Sequence, residues 1–115
     1  MMDMHIDHQV LKGLREVMEN EYLTLVETFL TDSELRVEQL HAAKSAAELM
    51  TAAHSFKGSS SNMGAMILAS LCQQLEERAR QPPLYGIEDL ISRIVREYQE
   101  VKCFYSGEKD RISAG

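Results

Sequence analysis

Apolar residues recur three and four positions apart along almost the whole chain, and no stretch keeps the strict alternation of a half-buried strand. That period predicts an all-α protein. Asp7 is placed to N-cap a first, short helix ending near Val17 or Met18, with Val10, Leu11, Leu14, Val17 and Met18 as its apolar stripe. After Glu19-Asn20 a long amphipathic run to about Ala43 turns Tyr22, Leu25, Val26, Phe29, Val37 and Leu40 inward, and Glu27, Asp32, Glu34, Arg36 and Glu38 mostly outward. A third helix is expected from about Lys44 to Ser61, closed by a turn at Asn62-Met63-Gly64, because Asn and Gly tolerate the left-handed backbone that ends helices. The fourth, from about Ala65 to Arg80, carries Ile67, Leu68, Leu71, Cys72 and Leu75 and is stopped by Pro82-Pro83, which lack amide hydrogens for the ladder. Beyond Gly86 the fifth sets Ile87, Leu90, Ile91, Ile94, Val95, Tyr98 and Val101 at helical spacing as far as Phe104 or Tyr105. The small, polar tail 106–115 is expected to fray, leaving 1–105 as the domain. Short connections between long one-sided helices favour antiparallel neighbours. The expected architecture is an antiparallel up-and-down four-helix bundle with a short additional N-terminal helix.

Composition narrows the function. A chain of 115 residues has room for one modest core and not for a large multidomain catalyst. Twelve Lys and Arg against 18 Asp and Glu give a net charge of −6 with no basic stripe. Nucleic acid and anionic membrane surfaces both need local positive charge, so neither is an expected partner and other proteins are. Met1 to His8 holds neither a basic segment nor an apolar h-region, and no apolar run approaches the roughly 18 residues of a membrane helix. The expected location is the cytoplasm.

Several residue types are assigned no chemistry. Cys72 and Cys103 stand 31 positions apart, without a CxxC neighbour, inside helical patterns where a thiol is expected to act as a small buried apolar group. His5, His8 and His41 lack a third ligand at metal-site spacing, so no metal site is expected. The seven methionines, Met63 and Met66 among them, read mostly as core filler, whereas Met50 is a candidate for an adaptable contact with a docking protein. There is no GxxxxGK[ST] and no kinase-type Gly-rich loop, so neither ATP binding nor autokinase activity is expected. No cofactor is expected either.

Candidate chemistry lies on the third helix. At roughly 100° per residue from His54, the apolar Leu49, Ala52 and Phe56 fall at roughly 220°, 160° and 200°. His54 therefore points away from the core. Ala47, Met50, Lys57, Gly58 and Ser61 lie within roughly 60° of it. A solvated helix face is ordinarily filled with Glu, Lys, Gln and Arg, and a mid-helix glycine costs about 1 kcal/mol relative to alanine. A face this bare implies close approach by something else. Neutral imidazole, with an ordinary pKa of about 6.5, has a ring lone pair able to attack an activated phosphoryl group. Lys57, one turn on, would offset the charge of the resulting phosphoramidate; Gly58 would clear the flank, and Ser61 could donate a hydrogen bond.

The run Ala53-His54-Ser55-Phe56-Lys57-Gly58-Ser59-Ser60-Ser61-Asn62-Met63-Gly64-Ala65 resembles the signature of histidine-containing phosphotransfer domains, H-x-x-K-G-[small]-[small]-x-x-[apolar]-G, with every marked position matched. The surrounding helix pattern extends the resemblance from near Asp7 to Tyr105. It implies a four-helix bundle with an extra amino-terminal helix, His54 as the phosphorylated residue bordered by Lys57 and Gly58, and Gly64 opening the turn. It also implies partners: the receiver domain of a hybrid sensor kinase as donor and that of a response regulator as acceptor. The receivers would bring Mg2+, and this chain would act as a monomeric carrier. Some members have a glutamine 22 residues after the histidine that bonds the imidazole; here that position is Glu76. A carboxylate could hold the ring's tautomer but would also favour imidazolium and repel a phosphoryl group, so its part stays open. Partner contacts are expected at Ala47, Met50 and Thr51. The competing reading is an acidic helical adaptor that binds or inhibits a signalling partner without taking phosphate; a third has the domain draining phosphate from a regulator.

Overall fold

The computed structural model describes residues 5–114. Met1 to Met4 and Gly115, which the sequence places in the domain and the tail, lie outside the described residues. All regular structure among the described residues is helical: α1 (His8–Met18), α2 (Tyr22–Ala42), α3 (Ala46–Asn62), α4 (Met66–Ala79) and α5 (Ile87–Ala114), with a single 3-10 turn at Glu19–Glu21.

Local chemistry sets the boundaries. Asp7 caps α1, its Oδ1 accepting from the amides of Gln9 at 2.9 Å and Val10 at 3.4 Å. The helix ends where Glu19 takes a positive φ of 48°. At α3, Ser45 Oγ accepts from the Glu48 amide at 3.2 Å while Glu48 Oε2 reaches back to the Lys44 amide at 2.8 Å. This reciprocal cap moves the start of the helix to Ala46. Gly64 turns from α3 to α4 at φ 74°. Its carbonyl accepts from the Asp7 amide at 2.8 Å, and a β-carbon there would sit 3.1 Å from the Asp7 carbonyl oxygen and 3.2 Å from Val10 Cβ. Only glycine lets the amino-terminal segment lie this close to the turn.

Packing follows the stripes. α3 lies along α4, α4 along α5, and α2 touches both α3 and α5. That ring of contacts encloses one core containing Val26, Phe56, Leu68, Leu75, Ile94 and Tyr105. Phe56 meets Tyr98 edge-on at 6.0 Å between centroids, so the residue opposite His54 on the wheel is anchored on α5. The buried tyrosine hydroxyls are paired by reaching backbone or carboxylate oxygens. Tyr105 donates to the Met63 carbonyl at 2.6 Å, and Tyr98 donates to Glu34 Oε2 at 2.6 Å.

Four expectations fail. The tail does not fray, because α5 continues through residues 106–114. The buried carboxylate of Glu108 accepts hydrogen bonds from Arg15, from the Tyr22 hydroxyl at 3.1 Å and from Arg111, tying the last turns of α5 to α1 and α2. Burial, then the charge of Glu108, pushes the Tyr22 phenol up to about 12, so it remains a donor there. Val17 is 81% exposed, lying outside the face that α1 buries through Leu11. Cys103 is exposed on α5, whereas Cys72 is buried as expected. Met66 is about half exposed at the start of α4, whereas Met63 is buried in the turn.

Candidate functional site

α3 holds His54 away from the core because Leu49, Ala52, Ala53 and Phe56 bury the other side of the same helix. The side chain of His54 is 67% exposed. Its Nδ1 lies 3.1 Å from Glu76 Oε2 on α4. The Glu76 side chain is only 9% exposed and holds three partners: His54, Lys57 Nζ at 3.1 Å through Oε1, and Arg80 Nη2 at 3.1 Å through Oε2. Burial alone would raise its pKa, but the hydrogen bonds and charges of Lys57 and His54 outweigh that and hold it below the ordinary carboxylate value. Glu76 is thus ionised at neutral pH and can only accept. The proton of the neutral ring then sits on Nδ1, and the Nε2 lone pair is left toward solvent. No hydrogen bond engages Nε2 among the described residues.

Lys57 is half-buried beside His54. It turns across to α4, donating to Gln73 Oε1 at 2.7 Å as well as to Glu76, and Gln73 in turn donates to Glu77 Oε1 at 2.7 Å. In this state the lysine is braced one helix away, not held free over the imidazole. At Gly58 the helix flank is open: a β-carbon built on it meets nothing within 4 Å. Ser61 is exposed on the His54 face, but seven residues carry it roughly 10 Å along the axis, beyond reach of the ring. Gly64 is buried in the turn and bears on the fold, not on the site. Cys72 lies close enough to Lys57 to feel its charge; burial nonetheless pushes its thiol up to about 12, which leaves it no nucleophile.

Among the candidate docking residues, Ala47 and Thr51 are exposed and line a groove of about 440 Å³ between α2 and α3. Arg36, Gln39, Ala42 and Ala43 complete its walls with Glu48 and Ala52. Met50 is half-buried and outside the groove. Of the remaining histidines, His5 pairs with Glu97 at 2.7 Å, His8 meets Phe104 edge-on, and His41 is exposed. No cluster of three potential metal ligands occurs among the described residues. None of their helices is long and apolar enough to cross a membrane.

Sequence reasoning missed Gln73 and Arg80. Each forms half of an i,i+4 pair, Gln73 with Glu77 along α4 and Arg80, the residue just past its end, with Glu76, and that spacing was visible. The reach of Gln73 to Lys57 on α3 was not.

An outward, tautomer-held imidazole on a helical bundle defines a phosphotransfer module. The Hpt domain family model matches residues 24–102, and the chain belongs to that family, whose members are phosphocarriers and not kinases. It is similar to histidine-containing phosphotransfer protein B (HptB) from Pseudomonas aeruginosa PAO1, whose crystal structure it matches at 46% identity and a TM-score of 0.93. The match covers 96% of this chain and 98% of that one. No curated relative matches the chain.

Proposed function

We propose that this chain is a phosphorelay intermediate. His54 takes a phosphoryl group from the receiver domain of a hybrid sensor kinase and passes it to the aspartate of a response regulator. The observation that carries this reading is the free Nε2 of an imidazole that Glu76 holds by Nδ1 at 3.1 Å, beside a glycine flank with nothing within 4 Å. In transfer, the Nε2 lone pair attacks phosphorus, the N–P bond forms and the P–O bond breaks. The electron pair leaves with the aspartate as carboxylate. The receiver supplies Mg2+ and most of the charge stabilisation, and this chain supplies a positioned nucleophile without a cofactor, ATP site or autokinase activity of its own. Ala47, Met50 and Thr51 flank His54 on the side where the receiver docks. The chain acts as a cytoplasmic monomer, with α2 to α5 as an antiparallel up-and-down bundle and α1 as an added amino-terminal helix.

Incubation with a labelled phospho-receiver tests the reading. The wild type gains an acid-labile, alkali-stable phosphoryl group and the His54→Gln variant gains none. A wild type that takes no label from any receiver is instead the phosphate-independent adaptor.

A further inference from the structure

Lys57 stands on the side of His54 that does not take phosphate. Its Nζ lies 3.1 Å from Oε1 of Glu76, while Oε2 of that carboxylate meets Nδ1, so Glu76 lies between the ammonium and the ring. The phosphoryl group is borne by Nε2, toward solvent. Resting on the phosphocarrier reading above, we infer that Gln73 is a positioning residue that holds the Lys57 ammonium away from the unphosphorylated ring and releases it when His54 is phosphorylated. The Gln73–Lys57 hydrogen bond then sets how tightly the chain keeps its phosphoryl group.

The holding contact has a built direction. Gln73 Oε1 accepts from Lys57 Nζ at 2.7 Å, and Gln73 Nε2 donates to Glu77 Oε1 at 2.7 Å. A carboxylate only accepts, so Glu77 takes the NH2 end of the amide and leaves its oxygen aimed at α3. Residues 73 and 77 are one turn apart on α4, which fixes that orientation without help from α3. Lys57 is the only donor on this oxygen among the described residues, and its side chain is 28% exposed, so the ammonium is partly withdrawn from water where it is held. Glu76 depends less on the lysine. It keeps His54 and Arg80 when Lys57 leaves.

Phosphorylation changes the competition for that ammonium. Nε2 gives its lone pair to phosphorus, the N–P bond forms, the P–O bond of the aspartyl phosphate breaks, and its electron pair leaves as the receiver's carboxylate. An anionic group now stands one helical turn from Lys57, where neighbouring β-carbons are about 5–6 Å apart. A phosphoryl oxygen offers the ammonium charge–charge attraction that a neutral amide oxygen lacks. Lys57 therefore swings from Gln73 to the phosphoryl group, and the phosphorylated state gains the new bond less the one given up. Loosening the hold at Gln73 leaves more of that gain, so the chain keeps phosphate more tightly.

The test lets wild type and Gln73→Met share one labelled phosphoryl group through a trace of a single receiver domain with Mg2+, which passes it between them until the ratio of labelled proteins is constant. Because the receiver is common to both, its own affinity for phosphate cancels. Methionine keeps the length and helix propensity of glutamine without a comparable acceptor. A hydrogen bond of this kind, partly open to water, is worth roughly a factor of five, so the label is expected to favour the variant about fivefold. With Lys57→Met in both proteins, the same change at Gln73 is expected to leave the ratio near one, since no cation remains to be held. An even ratio for the single variant, a ratio favouring wild type, or a preference that survives the loss of Lys57 overturns the inference. If any variant fails to fold or to take label, the wild type alone decides. A hydrogen-bond coupling between the Lys57 nitrogen and the Gln73 side-chain carbonyl carbon is expected by NMR before phosphorylation with phosphoramidate and not after it. A coupling that persists, or is absent from the start, overturns the inference equally. A wild type that takes phosphate from neither phosphoramidate nor any phospho-receiver overturns the carrier reading itself, which the other outcomes leave standing.

Discussion

Replacing Gly58 should separate stability from transfer. The residue lies within α3, yet a β-carbon built on it meets nothing within 4 Å. Gly58→Ala therefore adds no clash, while it removes backbone freedom from the unfolded chain and fills a helical site with the best helix former. The expected gain is about 1 kcal/mol, or about 4 °C in Tm for a domain of this size. Gly58→Gln gains most of the same helix propensity but sets a long side chain one turn from His54, where neighbouring β-carbons stand about 5–6 Å apart. Transfer from a phospho-receiver should then fall at least tenfold, a rise of about 1.4 kcal/mol in the barrier, with the alanine variant between it and wild type. Urea and thermal unfolding measure the first quantity; single-turnover labelling against one fixed receiver measures the second. A folding defect would lower both together, whereas a bare docking flank predicts that stability rises as transfer falls. Two results refute the reasoning: an alanine variant less stable than wild type, or a glutamine variant that transfers at the wild-type rate.

Deleting residues 106–115 removes Glu108 and leaves the buried Tyr22 hydroxyl without its acceptor, so the truncated chain should lose about 2–3 kcal/mol. An unchanged urea midpoint would restore the frayed-tail expectation. At Glu34, the hydrogen bond from Tyr98, then that from Lys102, holds the carboxyl below its ordinary value of about 4.5 despite partial burial. A carboxyl lowered by folding contributes stability that is complete above the unfolded value and is lost as pH falls through the folded one. The stability difference between wild type and Glu34→Gln should therefore be constant near neutrality and shrink below about pH 4.5, and a difference independent of pH in urea titrations would refute the assignment.

What was legible in the sequence was whatever one helix decides alone. Phe56, Ala52 and Leu49 are buried and His54 is out because 100° per residue holds without reference to any neighbour. Asp7 and Gly64 were equally local, since a cap and a left-handed turn depend on adjacent backbone. The end of α5 was not local. Residues 106–114 read as a polar tail, yet Glu108 is fixed by Arg15 and Tyr22, 93 and 86 positions earlier. Periodicity also failed at stripe edges: Val17, Met66 and Cys103 carry apolar side chains, but which edge of a stripe faces solvent depends on the angle of the opposing helix. The same limit governs the site. His54 meets Glu76 across 22 positions and Lys57 meets Gln73 across 16, so both contacts require the register of α3 against α4. The doubt about Glu76 arose from treating it as an isolated charge beside a phosphoryl group. That register brings Lys57 onto Oε1 of Glu76, and Arg80, four residues on, takes Oε2, so the carboxylate shares its charge with two cations and does not stand alone.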